Sequence, residues 1–174
     1  MRNGRVRSRA TIPTLQFRTP HSAFRILVLF AACTPVTTRP DFRPYPRALT
    51  AIVNARPDKV VTVLDSLVAA ERLGVARSSR LDGYLETTWY DVTRKTSFPG
   101  TGDVPDLAGT VKVRCWADPY VPGQSQVTIE PVYRPRYDPS RTERDLEVVV
   151  PQDHEGYKIA ERLLGGLKKR LGSP

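Results

Sequence analysis

Few side chains here have the nucleophilic or metal-binding character that enzymes recruit: two cysteines, Cys33 and Cys115, and two histidines, His21 and His154. Zinc needs three or four converging ligands, and no Cys/His spacing supplies them. A Ser–His–acid triad would have to rely on His154, and no Gly-x-Ser-x-Gly elbow accompanies it. His154 stands between Asp153 and Glu155 at the start of a helical pattern, which reads as a capping or surface histidine. The glycines at 100 and 102, and at 165 and 166, lack the lysine and the strand-to-helix setting of a phosphate loop. Glu143 and Asp145 are the acid pair that glycosidic chemistry would use, but paired surface carboxylates are common. The expectation is a non-enzyme with no metal and no cofactor. Cys33 alone has a patterned setting. Ile26–Ala32 is apolar, is preceded only by basic charges, and ends in two small residues before the cysteine. Thr34-Pro35-Val36-Thr37-Thr38-Arg39-Pro40 then turns polar and proline-rich. That is the layout of an export signal whose cleavage leaves cysteine as the first residue. The competing reading is a short buried strand, Phe24–Ala32, in a cytosolic protein with a basic tail. The apolar run is far below the ~20 residues of a membrane-spanning helix.

The segment resembles the bacterial lipoprotein signal, with Ala31 and Ala32 matching and Phe30 standing where that pattern prefers leucine. The resemblance implies a diacylated Cys33 that anchors the chain to a membrane. Thr34, in place of aspartate, implies the outer membrane, with the domain facing the periplasm. Charge fits this division. Residues 1–32 hold six of the 27 basic residues and no acid, which leaves 21 against 18 in the remainder, a net of +3. The isoelectric point near 9.9 therefore describes the leader and is poor support for a nucleic-acid partner.

The chain divides into a signal at 1–32, a lipidated cysteine with a proline-rich tether at 33–46, and a single α+β domain at 47–172. The tether contains Pro35, Pro40, Pro44 and Pro46. Arg47–Val53 reads as a strand. Pro57 and Asp58 then open a helix whose apolar face is Val60, Val63, Leu64, Leu67 and Val68, with Gly74 as its left-handed terminator. Three period-two segments follow. In Tyr84–Tyr90, Leu85, Thr87 and Trp89 share one face and Tyr84, Glu86, Thr88 and Tyr90 the other. In Thr110–Ala117, Val111, Val113, Cys115 and Ala117 point inward while Lys112, Arg114 and Trp116 point outward. Gln126–Val132 places Val127 and Ile129 inward until Pro131 compromises pairing. Leu146–Val150 is a candidate fifth edge strand or an extended segment laid across the domain. Asp153 is expected to cap a last helix whose face is Tyr157, Ala160, Leu163, Leu164, Leu167 and Leu171. A close backbone approach to the sheet would account for Gly165-Gly166. Cys115 reads as a small buried hydrophobe.

The expected order is β-α-β-β-β-α, about four antiparallel strands with two helices, the long C-terminal one packed on one sheet face. This layout resembles the helix-grip class of α+β folds. At Ser79–Trp89, where a charged residue, a glycine, an apolar residue, Glu86-Thr87 and Trp89 follow the first helix, it is similar to bacterial outer-membrane lipoproteins of the type of the C component of the β-barrel assembly machinery. That protein has two such domains, whereas this chain has room for one. The resemblance implies an envelope protein partner. Its expected contact surface is the outward face bearing Tyr84, Tyr90, Lys112, Arg114 and Trp116, since Trp, Tyr and Arg are favoured anchors. Cross-strand pairs that simply stabilise the sheet are the plainer account of the same residues. Arg134, Arg136, Arg141 and Arg144 read as a solvated loop that attracts anionic headgroups. Two further functions stay open: a carrier of a small apolar ligand between sheet and helix, and a cytosolic RNA-binding protein that keeps its basic leader.

Overall fold

Pro57 at the first helical turn and the recurrence of Val60, Val61, Leu64 and Val68 on one side produce helix α1, Pro57–Ala70, those four being its buried residues. A computed structural model describes residues 37–98, 109–136 and 138–174. The signal segment, Cys33 and Thr34 lie outside these residues, as does most of the loop before Thr110. Among the described residues the protein is α+β, with an antiparallel sheet of eight strands and three helices. The strands are β1 (Leu49–Val53), β2 (Val75–Ser79), β3 (Tyr84–Thr87), β4 (Tyr90–Asp91), β5 (Thr96–Ser97), β6 (Thr110–Pro119), β7 (Ser125–Tyr133) and β8 (Val148–Val149). The helices after α1 are the short α2 (Glu143–Leu146) and the long α3 (Glu155–Leu171). The main path of the sheet is β1-β7-β6-β3-β2, with β4 continuing on β6 and β8 on β7.

The class and the C-terminal helix agree with the sequence pattern, and the sheet has more strands than the pattern disclosed. Strand β2 escaped because Val-Ala-Arg-Ser-Ser lies on the sheet edge, is almost wholly exposed and shows no alternation. Val111, Val113, Cys115 and Ala117 of β6 and Val127 and Ile129 of β7 face inward, as expected, and meet Leu64, Val68, Leu163 and Leu167 of the helices in one core. Cys115 is fully buried there, and burial pushes its thiol well above the ordinary cysteine range.

Pro131 does not end β7. Its carbonyl accepts from Val150 N–H. In an antiparallel strand the missing N–H points the same way, into the gap between β1 and β8, so pairing with β6 continues past it. The face assignment does break between β3 and β4. Leu85 lies opposite Cys115 but Tyr90 lies opposite Val111, where an unbroken register would place Trp89. One extra residue has been inserted, a β-bulge, and it exchanges the two aromatics. Tyr90 therefore enters the helix-side core and Trp89 moves to the outer face.

Local chemistry explains the remaining departures. Arg72, at φ 61°, takes the left-handed position after α1, not Gly74. Gly74 is required by packing instead, because a Cβ there would lie 2.7 Å from Thr88 Oγ1. Helix α3 is capped by His154, whose Nδ1 accepts from Gly156 N–H at 3.0 Å, and not by Asp153. Gly166 meets Leu67 of α1, where a Cβ would come within 2.8 Å of a methyl, so the close approach is helix to helix. Gly165 points into open space.

Two glycines give opposite expectations. Gly83 has φ +61° and a Cβ there would sit 2.3 Å from the Ala117 carbonyl oxygen, so Gly83→Ala lowers stability by about 2 kcal/mol or more. Gly165→Ala raises it by about 0.5–1 kcal/mol. Urea unfolding of the two variants checks both signs.

Candidate functional site: the outer face of the sheet

Alternation along β6 and β7 sends Lys112, Arg114 and Trp116, with Thr128 and Glu130, to the face away from the helices. Tyr84 and Glu86 of β3 join them. An antiparallel sheet usually leaves such a face to solvent. Here Tyr84 and Trp116 are fully buried, and Lys112 and Arg114 nearly so. The cover is the segment expected to be a tether. From Thr37 to Pro46 it runs down this face before turning into β1. Thr38 donates from its N–H and its hydroxyl to Asp82, both at 2.9 Å. Arg39 pairs with Asp118 at 2.7 Å. Phe42 packs edge-on against Trp116, and the Tyr45 hydroxyl donates to the backbone carbonyls of Arg144 and Glu147.

Beneath this cover lies a charge network. The Arg114 guanidinium makes a two-pronged contact with Glu147, both bonds 2.6 Å, and reaches Glu86 and Glu130 at 3.3 Å each. Fully buried Glu130 also accepts from Arg144, at 2.8 and 3.1 Å, and from Tyr45 N–H at 2.7 Å. Burial works against the charge of Glu86, but Lys112, Arg114 and the Tyr84 hydroxyl hold its carboxyl below the usual carboxylate range. Burial also works against the Arg114 cation, and the hydrogen bonds and charge of Glu147 reverse the effect, raising the guanidinium above its ordinary value. Burial, then the neighbouring Glu86, pushes the Tyr84 phenol far up. Glu86 and Arg114 are thus favoured in their charged forms and the Tyr84 phenol in its neutral one, as suits groups that pair inside a protein.

Four of the five expected contact residues, Tyr84, Lys112, Arg114 and Trp116, do share the outer face. They lie inside the protein, however, and do not form an open surface, while Tyr90 is on the other side. Trp89, expected inward, packs under Lys112 and Arg134, each about 4.5 Å from its ring centre. The arginine stretch also divides. Arg134 is buried and Arg144 is drawn into the network, while Arg136 and Arg141 stay exposed. Glu143 reaches toward Lys112 and Arg134 at 3.6 Å, and Asp145 joins the Thr142 cap of α2, so each acid of that pair has its own structural partner. His154 is occupied as a cap and stacks on Tyr133. A shallow cleft of about 320 Å³ remains beside the cover, lined by Pro40, Phe42, Arg77, Lys112, Glu143 and Arg144 among others. Among the described residues no cluster of His, Cys, Asp or Glu is placed to hold a metal ion. No helix among them is long and apolar enough to cross a membrane.

Sequence reasoning missed the cover because proline-rich segments carry no periodic signal. Phe42 and Tyr45 among the prolines were its only trace. No protein-family model matches the chain, and no curated protein matches it.

Breaking a buried ion pair strands its partner, so Glu147→Gln and Arg114→Met should each lower stability by about 3–5 kcal/mol, and the double variant by clearly less than their sum. Urea unfolding of the four chains measures the coupling. Glu86 has a lowered folded value, so its contribution is fully present above the unfolded value of about 4.3 and is lost as pH falls through the folded one. The stability gap between wild type and Glu86→Gln should therefore close on acidification below about pH 4, as unfolding curves at neutral and acid pH will test.

Proposed function

We propose that this chain is a non-catalytic envelope lipoprotein, anchored through Cys33, whose α+β domain binds a protein partner facing the periplasm. The observation that carries this reading is the order of basic leader, apolar Ile26–Ala32, and Cys33 followed at once by a polar, proline-rich segment. Two acyl chains on one cysteine give stable anchoring where a single chain gives only marginal binding. The buried charge network supports a structural role for residues that would otherwise be candidate catalysts. The partner contact moves from the sheet face itself to the cleft beside Phe42. There the exposed parts of Arg77, Arg144 and Glu143 border aromatic surface and suit a partner with charged side chains. Packing lends nothing to a ligand-carrier role, since the sheet–helix space holds Leu85, Val113, Ile129, Leu163 and Leu167, and Leu67 occupies the hollow at Gly166.

Intact mass and membrane fractionation of the native chain beside Cys33→Ala test the anchor. The expected result is loss of residues 1–32 with added diacylglyceryl mass and membrane residence, both abolished by the substitution. A soluble, unprocessed chain beginning at Met1 would overturn the reading.

A further inference from the structure

Three of the large apolar side chains left exposed sit on two adjacent turns. Leu81, 99 % exposed, is on the β2–β3 turn, and Tyr120 and Val121, each about half exposed, are on the β6–β7 turn. The turns are neighbours because β3 and β6 pair up to Tyr84 and Trp116, and Gly83 accepts from Ala117 N–H at 2.7 Å. The described chain also enters at this pole. Thr38 is pinned to Asp82 of the first turn, and Arg39 bonds the Asp82 carbonyl and pairs with Asp118 at the end of β6. The far end of α3 belongs here as well. Its cap Gly172 accepts from Asn54 N–H, and the Asn54 side chain accepts from Gln124 of the β6–β7 turn. Exposed Lys168 and Lys169 lie in that last helical turn, and exposed Arg80 stands beside Leu81. The pole therefore combines apolar tips, a tyrosine and several cations.

We infer that this pole is a membrane-contacting surface, with Leu81, Tyr120 and Val121 entering the lipid interface and Arg80, Lys168 and Lys169 facing anionic headgroups. The inference rests on the anchored reading above and deepens it. Had residues 33–46 been a free tether, the domain would stand well clear of its anchor. Because the chain is already fixed at Thr38, only four peptide steps separate Cys33 from Thr37, at most about 14 Å fully extended. An acylated cysteine sits at the boundary of the hydrocarbon, under a headgroup layer of roughly 5–8 Å. Whatever the path of residues 34–36, the entry pole then lies at the lipid surface. Interfacial tyrosine, apolar tips and basic residues suit that position, the ring and tips at headgroup depth and the cations against an anionic surface.

The test is quenching of an introduced tryptophan by brominated acyl chains. The full chain, purified from membranes, is reconstituted in vesicles of brominated phosphatidylcholine and phosphatidylglycerol. Leu81→Trp is compared with Val148→Trp, a half-exposed site on β8 at the opposite end of β7. Trp89 and Trp116 are buried and give both variants the same background. At an interfacial depth the emission added by Leu81→Trp should be quenched at least about twofold more than that added by Val148→Trp. Equal quenching at the two sites overturns the inference. Intact mass of the same sample separates the two readings. If the chain proves unprocessed, it is added to the same vesicles as a soluble protein. Selective quenching at position 81 then sustains the surface without the anchor, and its absence overturns the surface too.

Discussion

The Arg114 guanidinium is a permanent charge near the centre of the sheet, and much of the outer half of the molecule follows from accommodating it. An unpaired cation there would carry a desolvation penalty of several kcal/mol. Its compensation comes from three directions: Glu86 on β3, Glu130 on β7, and Glu147 just after α2. Glu130, itself without solvent, needs Arg144 and the Tyr45 N–H in turn. The chain before β1 and the chain after β7 are thus both drawn onto the same face. Of their apolar members, Leu146 is buried with the charges it covers and Phe42 is partly so. A sheet that would otherwise have one wet face becomes the middle layer of three, with helices on one side and irregular chain on the other.

The inner half obeys simpler rules and was correspondingly legible. Alternating valines in β6, the stripe of α3 and the proline-started α1 each state their own burial, because every one of those contacts follows the period of its element. The outer half does not announce itself that way. A lysine, an arginine and two aromatics in alternation look the same whether the face is open or roofed, since what decides is a distant segment. Phe42 and Tyr45 sit in a proline-rich run that has no period at all. The exchange of Trp89 and Tyr90 was hidden for a related reason. One inserted residue in a short strand reverses every later side chain, and nothing in Thr88-Trp89-Tyr90 marks the insertion. Of the expected contact residues, spacing placed Tyr84, Lys112, Arg114 and Trp116 on one face of β3 and β6 but could not show their depth.

Burial also changes what those residues can mean. Aromatic and basic side chains on an exposed strand are candidates for recognition, whereas the same side chains under a cover are out of a ligand's reach. Arg114 has bonds to three carboxylates, and the Tyr84 hydroxyl is held by Glu86. What the network leaves outside is the cleft rim on one side of the cover and the turn-bearing pole where the chain enters.

The cover has a further consequence for the time course of synthesis. The Tyr45 hydroxyl bonds backbone carbonyls 99 and 102 positions later, and Tyr45 N–H bonds a carboxylate 85 positions later. A chain emerging N-terminus first exposes Phe42 and Tyr45 long before Glu130, Arg144 and Glu147 exist to receive them. For most of its elongation the polypeptide therefore cannot lock its outer layer, and the N-terminal ten residues of the domain are among the last to find their place. The outer layer of such a polypeptide closes only once its final quarter is being made.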